Sequence, residues 1–201
     1  WAPPNSGRLR AWLVGNRLDN TESFLQSGSE IRTLHVSNNE MKHLQAFALT
    51  DYDASYYDEE ADEDVEIIYP WLVPENDTLS IHIEGNTGFR MRGLLHVKFG
   101  AVNADNGGSL DLTIRGNQQR GITSNWVELE EVGKLGLGGN ARIDFRENDI
   151  LGVSLDMLEI GVTEDDSTQG DAPNALPESN IPIEVIVEDN RLLHGDSSAV
   201  E

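Results

Sequence analysis

The sequence predicts an all-β protein, an antiparallel β-sandwich or barrel in which a jelly roll is the favoured topology. Apolar and polar residues alternate with a period of two in roughly ten short segments along the chain. Gly, Asn and Asp cluster between these segments, as expected for tight turns. No long stretch has the 3.6-residue apolar spacing of a helix. We therefore expect one β-sandwich domain over residues 1–187, with acidic insertions near 51–64 and 163–180 and a partly mobile tail over 188–201.

The clearest element is a hairpin over Thr78–Phe99, with its turn at the Gly-Asn-Thr-Gly sequence. The expected register pairs Ile83 with Phe89 and Ile81 with Met91, so that all four lie in the core. Further strands are expected in eight other segments, which are 8–14, 30–36, 42–50, 65–69, 122–129, 140–146, 151–160 and 181–187.

A short pattern occurs twice. The sequence Leu-x-Ile-x-Ile-Glu-Gly-Asn at 79–86 resembles Leu-x-Leu-x-Ile-Arg-Gly-Asn at 110–117. A duplicated unit would explain the likeness. Two strands that end in similar turns explain it more simply, and this is the interpretation that we adopt from the sequence.

The composition restricts the function classes. Asp and Glu number 36 against 14 Lys and Arg, which gives a formal net charge of −22. So acidic a chain lacks the cationic footprint of a nucleic-acid-binding protein. Its carboxylates instead suit a medium of high salt, which screens their mutual repulsion. The absence of cysteine excludes disulfides, thiol catalysis and Cys-ligated metal.

No motif indicates catalysis. The sequence lacks a Gly-x-Ser-x-Gly elbow and a phosphate-binding loop, and its histidines have no zinc-type spacing. We therefore predict a protein that is not an enzyme, with no cofactor and no metal. The densest acidic run carries residue types that suit Ca²⁺, but not the spacing of an EF-hand. Its calcium candidates are Asp51, Asp53, Asp58, Asp62 and Asp64.

Four residues are candidates for a subunit interface. The predicted hairpin places Arg90, Arg92 and His82 on its outer face, where arginines could bind carboxylates of a neighbouring molecule. The fourth is Trp71, in an aromatic segment between Pro70 and Pro74. Trp71 either fills a corner of the core or serves as a binding aromatic.

The strand succession from Val65 through Phe99, with its Tyr-Pro-Trp corner and Arg-Gly-Leu-Leu-His-Val-Lys-Phe run, resembles the single jelly-roll major capsid proteins of halophilic archaeal viruses that enclose an internal membrane. The resemblance implies a structural virion protein in an icosahedral shell. Its partners would be like and unlike capsid subunits close to a membrane, without direct binding of nucleic acid, and its location would be the virion capsid.

The alternative is a secreted carbohydrate-binding or cell-surface β-sandwich module of a halophile, located outside the cell. Trp71 or Trp126 would then be the stacking platform for a sugar ring.

Overall fold

A computed structural model describes residues 9–28, 31–58, 63–161 and 181–193, with the backbone alone in 52–58 and 63–68. These residues form a parallel β-solenoid. Its strands are β1 (Leu9–Val14), β2 (Arg17–Asp19), β3 (Leu25–Gln26), β4 (Ile31–Ser37), β5 (Glu40–Thr50), β6 (Tyr52–Asp58), β7 (Glu63–Tyr69), β8 (Trp71–Val73), β9 (Thr78–Glu84), β10 (Thr87–Ala101), β11 (Ser109–Arg115), β12 (Gln118–Ile122), β13 (Val127–Glu130), β14 (Asn140–Arg146), β15 (Asp149–Val153), β16 (Leu158–Ile160), β17 (Ile183–Glu188) and β18 (Arg191–Leu193). Within the described ranges, no helix is long and apolar enough to cross a membrane.

Each coil of the solenoid runs along one sheet, turns, and continues along a second sheet. The six-stranded sheet has the order β1-β4-β9-β11-β14-β17. The ten-stranded sheet has a proximal part, where β2, β12, β15 and β18 lie beside the first halves of β5 and β10. In its distal part, β3, β13 and β16 lie beside the second halves of β5 and β10.

The predicted antiparallel sandwich or jelly roll is wrong. Every strand pair of the two large sheets is parallel, and only the β6–β7 hairpin is antiparallel among the described pairs. The error has a physical cause. A strand with one face on a core and one in water alternates apolar and polar residues whichever way its neighbour runs. The alternation therefore identified strands but not their pairing.

The predicted Thr78–Phe99 hairpin is also wrong. β9 pairs with β4 and β11, whereas β10 pairs with β5 and β12, so the Gly-Asn turn joins two different sheets. Ile81, Ile83 and Met91 are buried as expected. Phe89 is not, since 40% of it is exposed.

The repeated pattern at 79–86 and 110–117 belongs to two strands that end in similar turns, as expected, and these strands are neighbours in successive coils. β9, β11 and β14 stack at intervals of 31 residues, and their inward side chains form continuous apolar rows. One row is Leu13, Val36, Ile83, Ile114, Phe145 and Val187. A second is Ala11, Leu34, Ile81, Leu112, Ile143 and Val185. Burial of the interior members of these rows contributes hydrophobic stabilisation to the solenoid.

An asparagine ladder lines the turn between the two sheets. Its members are Asn16, Asn39, Asn86, Asn117, Asn148 and Asn190. The Oδ1 of Asn117 accepts from the backbone N–H and from the Nδ2 of Asn86, at 3.0 and 2.9 Å. The Nδ2 of Asn117 donates to Ile83 O and to Asn148 Oδ1, at 2.9 and 3.0 Å. Each interior amide is thereby buried with all of its hydrogen-bonding capacity used.

The residue before each ladder asparagine has a positive φ, between 54° and 68°. Gly, Asn and Asp tolerate this left-handed conformation best. Five of the six positions carry one of these residue types, and the remaining one is Glu147. The dipeptide Gly-Asn in the sequence is thus the local signal for the turn, because glycine supplies the conformation and asparagine supplies the ladder.

Insertions account for the unequal coils. Neighbouring ladder asparagines are 23, 47, 31, 31 and 42 residues apart. The 47-residue coil contains the β6–β7 hairpin, so much of the predicted acidic loop 51–64 is strand. The insertion predicted at 163–180 lies outside the described residues. β18 pairs with β15 inside the segment expected to be a tail, and residues 194–201 lie outside the described ranges.

We predict that Asn117→Ala destabilises the protein by at least about 3 kcal/mol, because it leaves several buried donors and acceptors without partners. Asn140→Ala is the matched control, since Asn140 is exposed and its amide bonds only Ser109 Oγ among the described residues. Asn140→Ala should lower the free energy of unfolding by less than about 0.5 kcal/mol. Urea denaturation measures both, and equal losses would show that the ladder is not a stabilising element.

Candidate functional site

A histidine and two glutamates form a cluster on the outer surface of the distal part of the ten-stranded sheet. Register places His96 of β10 beside Glu128 of β13, and Glu128 beside Glu159 of β16. Glu130 lies two residues further along β13, on the same outward side of the strand. Parallel stacking of successive coils therefore assembles one row of ionisable side chains from three distant parts of the chain.

Short polar contacts join the members of this cluster. His96 Nε2 lies 2.7 Å from Glu130 Oε1 and 3.6 Å from Glu128 Oε1. The Nδ2 of Asn125, a buried residue, donates to Glu128 Oε2 at 3.2 Å and also to Glu159 Oε2. One amide thus holds two carboxylates of neighbouring coils close together, although their like charges repel.

The surroundings change the acidity of the cluster. Burial disfavours the charged imidazole of His96, but its hydrogen bond with Glu130 and the nearby carboxylates outweigh this and raise its pKa. The same hydrogen bond lowers the pKa of Glu130. Both shifts favour a charged imidazolium–carboxylate pair at mildly acidic pH.

Asp51 lies at the rim of this cluster and is 6% exposed. Burial raises the pKa of its carboxyl group, although its Oδ2 accepts from the backbone N–H of Lys98 at 2.9 Å. The ammonium of Lys98 lies 2.7 Å from Glu131 Oε1, which also lies 3.0 Å from the ammonium of Lys134. Two of the three lysines of the chain therefore lie beside this dense set of carboxylates.

The cluster has the donor atoms of a cation site. One imidazole nitrogen and one oxygen from each of Glu128 and Glu130 lie within 4.8 Å of one another. Such a set could ligate a divalent cation, or its imidazole and carboxylates could exchange a proton. In the part of the chain that the structure describes, this is the one group of three such side chains. The imidazole of His96 already contacts the carboxylates of Glu128 and Glu130. The geometry by itself therefore assigns no ion to the cluster.

The structure keeps the predicted interface residues Arg90 and Arg92 together on β10, but it places His82 and Trp71 on other strands. His82 lies on the outer surface of the six-stranded sheet, with its ring 6.0 Å from that of His35. Arg90 and Arg92 are exposed on β10, where their guanidinium groups lie over Phe89 and Phe47 at 5.2 and 5.4 Å. The expected pairing of His82 with Arg90 across a hairpin is wrong, because their strands belong to different sheets.

Trp71 is fully buried, and its Nε1 donates to Ser27 O at 2.6 Å. Of the two interpretations that the sequence left open, its burial favours the core corner. Trp126, the other proposed sugar platform, is also fully buried. Neither ring face is available for stacking on a sugar.

The calcium candidates fall largely outside the described side chains. Asp51 is described, and it is held by Lys98 and Thr50. Asp53 and Asp58 lie on β6 and Asp64 on β7, where the backbone alone is described, and Asp62 lies outside the described residues.

Sequence reasoning missed the His96–Glu128–Glu130 cluster because its members are 32 and 34 residues apart. The signal that could have found it is the 31-residue repeat of the asparagine turns. Had that period been extended along the chain, Glu128 and Glu159 would have fallen on the same row, with His96 close to it.

No protein-family model matches this sequence, and comparisons with curated proteins and with solved structures found no match.

We predict that His96→Gln lowers stability by about 1 kcal/mol at about pH 5.5 and by less at about pH 9. The raised pKa of His96 stabilises the fold below the ordinary histidine value of 6.5, and this contribution is lost as the pH rises through the raised value. The lowered pKa of Glu130 stabilises the fold above the ordinary glutamate value of 4.5, and this is lost as the pH falls through the lowered value. The ion pair of His96 and Glu130 therefore stabilises the fold most between about pH 4.5 and pH 6.5.

The control is His82→Gln, which removes an imidazole from a surface where no carboxylate is within ion-pair distance of it among the described pairs. Urea denaturation at both pH values measures each variant. A loss from His96→Gln that is the same at both pH values would contradict the proposed ion pair.

Proposed function

We propose that this chain is a non-catalytic structural subunit that assembles at high ionic strength, in a virion or on a cell surface. The observation that carries the proposal is that the strands at the two ends of the described solenoid each have an unpaired side. β1 and β17 are the edge strands of the six-stranded sheet, and each has one side without a strand partner among the described residues. Exposed strand edges readily pair with another chain.

Apolar side chains accompany these open edges. Val185 and Val187 continue inward-facing rows of the core, yet they are 41% and 40% exposed. At the opposite end, Leu9 is 37% and Trp12 is 61% exposed. Repeat proteins that remain single molecules need polar capping repeats at such ends. Among the described residues no strand covers either end, and this supports a subunit that is completed by assembly.

The charge distribution supports a medium of high salt. The described cationic side chains lie mostly against carboxylates of their own chain, in pairs such as Arg17–Glu40, Arg115–Glu147 and Arg146–Glu188. Each of these ion pairs is neutral. The excess of Asp and Glu over Lys and Arg gives the chain its net charge of −22. At about 1 M salt the screening length falls to about 3 Å, so that two such molecules can approach one another.

The proposal keeps the structural role and the virion or cell-surface location, but not the jelly-roll shell. The icosahedral shell was implied by the resemblance to jelly-roll capsid proteins, and the parallel sheets of this chain are not a jelly roll. The carbohydrate-binding alternative loses its support because Trp71 and Trp126 are both buried.

We expect the thermal unfolding midpoint to rise steeply between about 0.1 M and about 2 M NaCl, because salt screens the repulsion among carboxylates. The neutralised variant with Glu22→Gln and Asp105→Asn, both of which lie at exposed positions, should be more stable than the parent in the dilute salt. The two proteins should converge at the higher concentration. A midpoint of the parent that does not change with salt would contradict the high-salt part of the proposal.

The structural role itself is tested by assembly. Sedimentation velocity and electron microscopy of the purified chain should show large assemblies at about 2 M NaCl and single molecules at about 0.1 M. Single molecules at every salt and protein concentration tested would contradict an assembling subunit. A glycan array at the same salt concentrations tests the alternative, and binding there would favour the sugar-binding module.

A further inference from the structure

The two ends of the solenoid are complementary to each other in backbone hydrogen bonding. Along the ladder, the backbone N–H of each asparagine donates to the Oδ1 of the asparagine in the next coil, at 2.8 to 3.1 Å. Asn190 is the last member that the structure describes, and no Oδ1 of a described residue accepts from its N–H. Asn16 is the first, and none of the described donors reaches its Oδ1. One end therefore presents the donor and the other presents the matching acceptor.

The edge strands extend this match. If Asn190 of one molecule takes the place of the coil that precedes Asn16 of another, β17 lies beside β1 and the two strands are parallel, like every other pair in that sheet. The positive-φ residues Asp189 and Gly15 then also occupy equivalent positions. The same turn geometry would continue from one molecule into the next.

The side chains match in this register. Val187 would meet Leu13 and Val185 would meet Ala11, which continues the two apolar rows of the core across the contact. On the outer face of the sheet, Ile186 would lie beside the exposed Trp12. Glu184 would meet Arg10, as Arg142 meets Glu184 within the chain at 2.9 Å. Leu192 would meet Leu18 in the proximal part of the second sheet.

One row opposes the contact. Arg191 would lie beside Arg17, although each is already close to a carboxylate of its own chain, Asp149 at 3.8 Å and Glu40 at 2.8 Å. The net charge of −22 on each molecule adds a general repulsion. Both effects are screened by salt, whereas apolar contact and strand pairing are not weakened by it. The contact is therefore expected to form in concentrated salt.

From these matches we infer that the partner at each open end is a second copy of this chain, stacked head to tail so that β17 of one molecule pairs in parallel with β1 of the next. The inference rests on the proposed structural function and specifies its partner and register. The contact joins two different surfaces of the same molecule, so that repetition produces an open column rather than a closed ring. The parallel sheets and the asparagine ladder run uninterrupted along that column.

The test uses disulfide formation between molecules, which is clean because the chain contains no cysteine. The double variant with Trp12→Cys and Ile186→Cys places the two thiols at neighbouring positions across the proposed contact. Paired strand residues have the Cα separation that a disulfide requires. Within one molecule these positions are separated by five strand spacings of about 4.8 Å, so no internal disulfide can form. Oxidation at about 2 M NaCl should give a ladder of covalent multimers on a non-reducing gel.

Three controls define the register. The single variants Trp12→Cys and Ile186→Cys should form dimers at most, because each molecule carries one thiol. The double variant with Arg10→Cys and Glu188→Cys places its thiols four residues out of register, about 13 Å apart along the strands, and should not form multimers. Thermal unfolding of each reduced variant checks that it is folded. A multimer ladder from the out-of-register variant, or none from the in-register variant, would overturn the inference.

A second measurement does not depend on cysteine. Val187→Asp adds a charge to the proposed contact at a position that is 40% exposed in the single molecule. Its sedimentation at about 2 M NaCl should be that of single molecules, and a cooperative thermal unfolding transition checks that the variant is folded. Parent molecules that assemble without the in-register crosslink would disprove the stacking alone. Parent molecules that remain single at every salt concentration would disprove the proposed function as well, and would indicate that the ends are covered by other parts of the chain.

Discussion

The asparagine ladder is the constraint on which the rest of this structure depends. A buried amide is tolerated only when its donors and acceptors are satisfied, and here each interior amide is satisfied by the coils before and after it. The ladder therefore fixes the register of neighbouring coils to a single residue. A slip by one residue would leave buried amides unpaired and would turn the apolar rows toward water.

That register produces the surface chemistry as well as the core. Because coils stack in parallel, residues separated by about one repeat lie side by side, and His96, Glu128 and Glu159 form a row for this reason alone. The same rule forms the row in which Arg142 lies next to Glu184. Stacking also leaves two ends, since β1 and β17 each have a strand neighbour on one side only among the described residues.

Acidity and fold act together in the proposed assembly. A solenoid end offers strand pairing and apolar burial, which favour association at any salt concentration, while the charge of −22 opposes it in dilute solution. Salt then decides the balance. Such a subunit would assemble in concentrated brine and separate on dilution, without any change in its own fold.

The sequence by itself determined the local elements. Period-two alternation placed most strands, for example Asn140–Arg146, and the burial of Ile81, Ile83 and Met91 followed from it. It also showed that the Gly-Asn turn occurs twice after an alternating segment. Only the tertiary structure decided that the strands pair in parallel, that Phe89 is exposed, and that His96 lies beside Glu128 and Glu130. The physical reason is that alternation records which face of a strand is buried, whereas the identity and direction of its neighbours depend on contacts between residues that are tens of positions apart.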